Sequence, residues 1–179
     1  MAVRPPDEVL DAVASAVDAG RAVADGLRWA QRDQWHLTLQ FLGPLTRLAP
    51  VVDGLAGAVG ERTAFAFRLG GAGAFPNGRR ARVVWLGAAE GGDEVIGLAG
   101  AVTSALGPLG YEAERGPFRP HLTVARLRVP GDVGPVLAAL GPDPVGPAFT
   151  VGEIVLYESR LSAQGPTYSV LERFPLRDA

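Results

Sequence analysis

The residues best suited to chemistry in this chain are two identical tripeptides, His36-Leu37-Thr38 and His121-Leu122-Thr123. No other histidine occurs among the 179 residues. Leu, Thr, Val and Phe around them favour a pleated, half-buried surface, so both stretches read as strands, about 35–42 and 120–128. Side chains two apart on a strand share a face. Each strand therefore offers an imidazole and a hydroxyl to one side and a leucine to the other. Two such strands facing each other converge two imidazoles and two hydroxyls on one small anion.

A lone histidine is more often a packed or surface residue than a catalyst. Here the polar pair is what recurs, whereas a repeat kept for packing preserves its apolar positions first. Two imidazoles astride a phosphate suit acid–base hydrolysis without a metal. A neutral ring takes a proton from the attacking water, a protonated ring gives one to the departing oxygen, and each role is worth roughly 10²- to 10⁴-fold. Histidine fits because either form exists near neutral pH. The two rings must sit in opposite protonation states, which unequal surroundings and a shared anion promote. Thr38 and Thr123 can donate to non-bridging phosphate oxygens, where charge grows in the transition state. An arginine adds bidentate recognition.

Competing chemistries fit less well. A catalytic zinc takes three protein ligands, and the chain has no third histidine, no cysteine and no carboxylate beside either tripeptide. The absence of cysteine also excludes disulfides and a thiolate nucleophile. A Gly-x-Ser-x-Gly nucleophile elbow is lacking. Gly70-Gly71-Ala72-Gly73-Ala74 lacks the Gly-Lys-Ser/Thr ending of a phosphate-binding loop and precedes a strand, not a helix. All 17 basic residues are arginine, which removes lysine as a nucleophile. A net charge of −2 argues against an extended nucleic-acid footprint, though a few local arginines suffice for one small anion. No apolar run is long enough to span a bilayer, and the first residues lack the core of a signal peptide. A soluble, cytoplasmic protein is expected.

The elements that must position these residues follow from periodicity. Pro5-Pro6-Asp7 starts a helix that runs to Gly20, with Val9, Leu10, Val13 and Val17 on one face. Leu27 to Ala30 leads into the first His strand. Helices are expected over 46–59 and 93–106, and a strand of one buried side over Phe65, Phe67 and Leu69. The glycines at 70–74 and Asn77-Gly78 read as a turn region before a strand over Arg82–Gly87. Asp132 begins a short helix to Leu140, 141–147 is a loop, and strands over about 149–159 and 167–174 close the chain. Strand pairs without regular βαβ alternation indicate an α+β fold of antiparallel sheets. Two similar lobes with outside helices, each showing one His-x-Thr strand to a central cleft, make a single domain over 1–179.

The chain resembles the two-histidine phosphoesterases, and within them the RNA 2′,3′-cyclic phosphodiesterases, historically called 2′-5′ RNA ligases (LigT-like). The likeness rests on His36–Gly43, Gly73-Ala74-Phe75-Pro76, Arg82-Val83-Val84-Trp85, Phe118–Arg126 and Leu156–Leu161. It implies a bilobal pseudo-two-fold fold and hydrolysis of a terminal cyclic phosphate on RNA, or on a small cyclic nucleotide, to a 2′-phosphate, with no cofactor. By the same likeness His36 is the proton donor to the 3′ oxygen and His121 the base that activates water. Thr38 and Thr123 match the threonines that hold the phosphate. Arg126 matches the arginine that follows the second motif. Strict alternation puts it on the face opposite His121, so it reaches the cleft through a twist or bulge, by wrapping around, or not at all. Phe41 and Phe118 could stack on a base, with core packing the expected role of each. Arg79, Arg80, Arg115 and Arg119 could steer an RNA end. A binding module without turnover, and 2′-5′ ligation on the same residues, are the alternatives. By the same likeness a full apolar strand is expected before the first helix, and in this sequence only Ala2-Val3 stands ahead of Arg4-Pro5-Pro6.

Overall fold

The computed structural model describes residues 1–113, 116–162 and 165–178. In chain order it contains β1 (Ala2–Val3), α1 (Asp7–Arg21), β2 (Arg28–Trp29), a 3₁₀ turn (Arg32–Gln34), β3 (Leu37–Thr38), α2 (Leu48–Gly60) and β4 (Phe65–Phe75). It continues with β5 (Ala81–Glu90), α3 (Gly92–Leu106), β6 (Leu122–Gly131), α4 (Gly134–Leu140), β7 (Pro144–Val151), β8 (Glu153–Ser162) and β9 (Gly165–Pro175). The strands form one antiparallel sheet in the order β7-β4-β5-β6-β3-β1-β8-β9, and β2 also pairs with β6. The two His-x-Thr strands are adjacent at its middle, so the two halves of the sheet meet where the tripeptides lie.

The helices bury one stripe each against one side of this sheet. Val9, Leu10, Val13 and Val17 of α1, Val51, Leu55 and Val59 of α2, and Val95, Leu98, Val102 and Leu106 of α3 are all buried. They share one core with Leu37, Leu86, Leu122 and Ile154. The first helix packs on α4 and β7, whereas α2 packs on α3 and β9. Each half of the sheet thus carries its own helix pair. The side of the tripeptides bearing His and Thr is turned away from the helices.

The α+β antiparallel architecture is as expected, with local differences. The first His strand is short: Leu39 and Gln40 leave the ladder and donate their N–H groups to the Met1 carbonyl. The stub Ala2-Val3 is inserted between β3 and β8, with Ala2 opposite Thr38 and Val155. Residues 70–74 are strand and not turn, because β4 has hydrogen-bonding partners on both edges, β5 and β7. Gly71, at φ +69°, carries the register shift there. The turn is confined to the Asn77 region, where the Asn77 side chain accepts the Arg79 and Arg80 N–H groups. Pairing with β4 also draws part of the expected 141–147 loop into β7, whose first residue, Pro144, needs no ladder N–H. Gly152 divides the expected strand 149–159 between β7 and β8. Asp132 accepts the Gly134 N–H at 2.8 Å, at the start of α4 as expected.

Gln40, 5% exposed, ties these pieces together. Its amide N–H donates to the Tyr111 carbonyl at 3.0 Å, and its amide oxygen accepts from the Thr103 hydroxyl at 3.1 Å. Removing such a group leaves buried partners unsatisfied. We expect Gln40→Ala to lower unfolding stability by about 2–3 kcal/mol in urea melts. A change under about 0.5 kcal/mol would show that the contacts are dispensable.

Candidate active site

The site is built on the antiparallel pairing of Leu37 with Leu122. Both leucines are fully buried on the helix side. Continuing that register by one residue in each direction sets His36 across from Thr123 and Thr38 across from His121. All four side chains then occupy one face, with the two histidines at opposite corners. Diagonal neighbours across an antiparallel pair are roughly 7–8 Å apart at the backbone, a gap that two imidazoles can narrow around a tetrahedral anion.

Each ring is seated by two aromatic side chains from its own half of the sheet. The Tyr157 and Tyr168 rings lie 5.9 and 4.8 Å from His36, centroid to centroid. Phe75 and Trp85 lie 5.0 and 6.1 Å from His121. Gly73 is required beneath Trp85: a Cβ there would come within 2.2 Å of the indole. None of these four was assigned a role from the sequence. Phe75, Trp85 and Tyr157 stand inside the motif segments that carry the resemblance, whereas Tyr168 has no such signal.

A backbone carbonyl two residues upstream orients the His121 ring. His121 Nδ1 lies 2.8 Å from the Arg119 carbonyl, which accepts its N–H. The Gln34 backbone acts on His36 in the direction that favours its protonated ring, though more weakly than burial opposes it. Gln34 is itself fixed, since its side-chain N–H donates to the Pro166 carbonyl at 3.0 Å. The surroundings are otherwise unequal. Burial, reinforced by the positive amino terminus and Arg4, pulls the His36 imidazole from its ordinary 6.5 down to about 4. Burial also raises the Tyr168 hydroxyl, against the opposing pull of Arg126 and a hydrogen bond with Ser159.

Arg126 reaches the imidazole face through a bulge. On β5 one step separates Val84 from Trp85, whereas their partners Ala125 and Thr123 are two steps apart on β6. Val124 is the extra residue, and it reverses the alternation beyond it. Ala125 then points to the helix side with Val84, both fully buried. Arg126, opposite Val83, points to the His side. Of the aromatic candidates, Phe118 packs on the core as expected. Phe41 does not: it is 67% exposed, because the chain has left the ladder before reaching it. Arg79, Arg80 and Arg119 are exposed, and Arg115 lies outside the described residues. Among the described residues, no three His, Cys, Asp or Glu side chains gather as metal ligands, and no helix is long and apolar enough to cross a membrane.

Known proteins resemble the chain in sequence and fold. A sequence model of the 2′-5′ RNA ligase superfamily matches residues 5–162. The chain belongs to this superfamily. An RNA 2′,3′-cyclic phosphodiesterase of Thermus thermophilus is 36% identical over 98% of this chain and 88% of its own. One from Aeropyrum pernix is 33% identical over 81% of this chain and 84% of its own. Among solved structures, a Thermus thermophilus protein superimposes with a TM-score of 0.81 at 31% identity, covering 99% of this chain and 96% of that one. Escherichia coli LigT, crystallised with 3′-AMP, superimposes with a TM-score of 0.74 at 26% identity, covering 98% and 95%.

The depressed His36 value has a definite sign. Above its unfolded value near 6.5 the ring is neutral in both folded and unfolded chains, and the fold keeps its full stability. As pH falls from 6.5 towards 4 the unfolded chain binds the proton first, and stability is lost. We expect the His36 ring signal in an NMR titration to move near pH 4, and to move upward on addition of inorganic phosphate. A midpoint at or above 6.5 in the free protein would contradict the burial account.

Proposed function

We propose that this protein hydrolyses the 2′,3′-cyclic phosphate at an RNA or nucleotide end to a 2′-phosphomonoester, by two-histidine acid–base chemistry and without a metal. Water attacks phosphorus and gives its proton to neutral His121. The bond from phosphorus to the 3′ oxygen breaks, and His36 delivers a proton to that oxygen. Thr38 and Thr123 donate to the non-bridging oxygens, and Arg126 adds positive charge at the edge of the same face. The observation that carries this reading is the diagonal placement of the two imidazoles on one polar face, set by the Leu37–Leu122 register.

The surroundings bear on the two histidine roles differently. With Nδ1–H of His121 donated to the Arg119 carbonyl, the neutral ring presents Nε2 as a base. His36 must hold a proton to act as donor, and the protein's own groups oppose that. A phosphodiester between the rings supplies the negative charge that restores it. The family names of the relatives agree with the reaction, and an RNA substrate fits a protein of the cytoplasm. The two halves of the sheet act as one domain, each giving one His-x-Thr strand to the shared cleft.

The direct test offers RNA ending in a 2′,3′-cyclic phosphate, with chelator present, and follows the product by phosphorus NMR. A 2′-monophosphate is expected. Binding without turnover would make the protein a binding module and overturn the hydrolase reading. His36→Ala and His121→Ala should each lose at least about 10²-fold in kcat, and Thr38→Val or Thr123→Val roughly 10²-fold. Near wild-type rates in both histidine variants would end the mechanism.

A further inference from the structure

Beyond the four central side chains, β6 carries a second polar feature, one that extends past the reacting phosphate. Arg126 is paired across the ladder with Arg28 of β2, one guanidinium-bearing residue directly opposite the other. The pairing is enforced: Trp29 is opposite Ala125, and the Ala30 N–H donates to the Val124 carbonyl at 2.9 Å. Trp29 packs on the core and under the Arg21 guanidinium, so Arg28 is left on the other face, beside Arg126. Like charges directly opposite each other on a sheet are destabilising. Both arginines are exposed, and among the described residues neither forms an ion pair, whereas Arg4, Arg21, Arg32, Arg68, Arg160 and Arg173 all do. Arg128, two residues on and also exposed, continues the row.

The position of this pair relative to the reacting phosphate gives it a meaning. Thr123 contributes to the central site, and Arg126 lies three residues further along the bulged strand. At about 3.3 Å per residue that is roughly 7–10 Å, about one nucleotide of single strand. Two guanidinium groups side by side suit a phosphodiester, which can accept hydrogen bonds from both.

We infer that Arg28 and Arg126 form a second anion subsite, which takes the phosphodiester one nucleotide upstream of the cyclic phosphate. The inference rests on the hydrolase reading above and sharpens its substrate class: the end of an RNA strand is preferred to a free cyclic mononucleotide. The footprint stays short, in keeping with the small net charge.

The test compares three substrates on wild-type protein and Arg28→Gln: a nucleoside 2′,3′-cyclic phosphate, a dinucleotide ending in one, and the same dinucleotide with an uncharged methylphosphonate linkage. The wild type should favour the charged dinucleotide over the mononucleotide in kcat/KM by at least about tenfold. Arg28→Gln should shrink that ratio by about tenfold, and the methylphosphonate dinucleotide should be insensitive to the substitution. The salt slope of dinucleotide binding should fall by about one. An unchanged ratio, or equal losses on all three substrates, would overturn the inference while leaving the hydrolase reading standing. Failure of the wild type to turn over even the mononucleotide would instead strike the reading itself, and the binding salt slope would then still decide the subsite.

Discussion

The pairing of Leu37 with Leu122 is the constraint on which the rest of the molecule depends. Two fully buried leucines from distant parts of the chain meet on the helix side of the sheet. Because strand side chains alternate, sealing those two inward forces the flanking His and Thr residues outward on both strands. A slip of one residue in either strand would bury an imidazole and expose a leucine. The face that carries the His and Thr side chains is therefore fixed by apolar burial. Everything else in the fold either supports this pair or extends the face it creates.

The sheet treats its two central strands alike and its two histidines differently. Each ring has two aromatic neighbours from its own half, and the Arg119 carbonyl also accepts from the His121 ring. The aromatic pairs are nevertheless of different character, two tyrosines beside His36 and Phe75 with Trp85 beside His121. Arg4 and the amino terminus, at β1, add positive charge near His36. An approximately symmetric scaffold thus surrounds the two rings with different charges. Those near His36 favour its neutral form, so its proposed acid role depends on the anion between the rings.

Much of this was legible in the residues. The repeated His-Leu-Thr, with its alternation of polar and apolar groups, gives the central strands and their polar face. Helix boundaries follow from Val and Leu spacing to within a residue or two. What escaped is whatever depends on partners across the sheet. Residues 70–74 look like a turn to any local reading, yet partners on both edges hold them as strand. Phe41 continues the apolar alternation of its motif, but Leu39 and Gln40 have already turned to bond Met1. The bulge at Val124 is the clearest case: no residue type announces it, and it alone moves Arg126 to the imidazole face. Tyr168 and Arg28 were hidden for the same reason, since cross-strand register, and not sequence proximity, brings them to the site.

The central claim is that two imidazoles from opposite corners of one face grip a single tetrahedral anion. Crystals grown with inorganic phosphate test it most directly. The account predicts one phosphate within hydrogen-bonding distance of a ring nitrogen of His36 and of His121, with the hydroxyls of Thr38 and Thr123 on its remaining oxygens. A phosphate bound to one histidine alone, with the other ring turned away or out of reach, would contradict it.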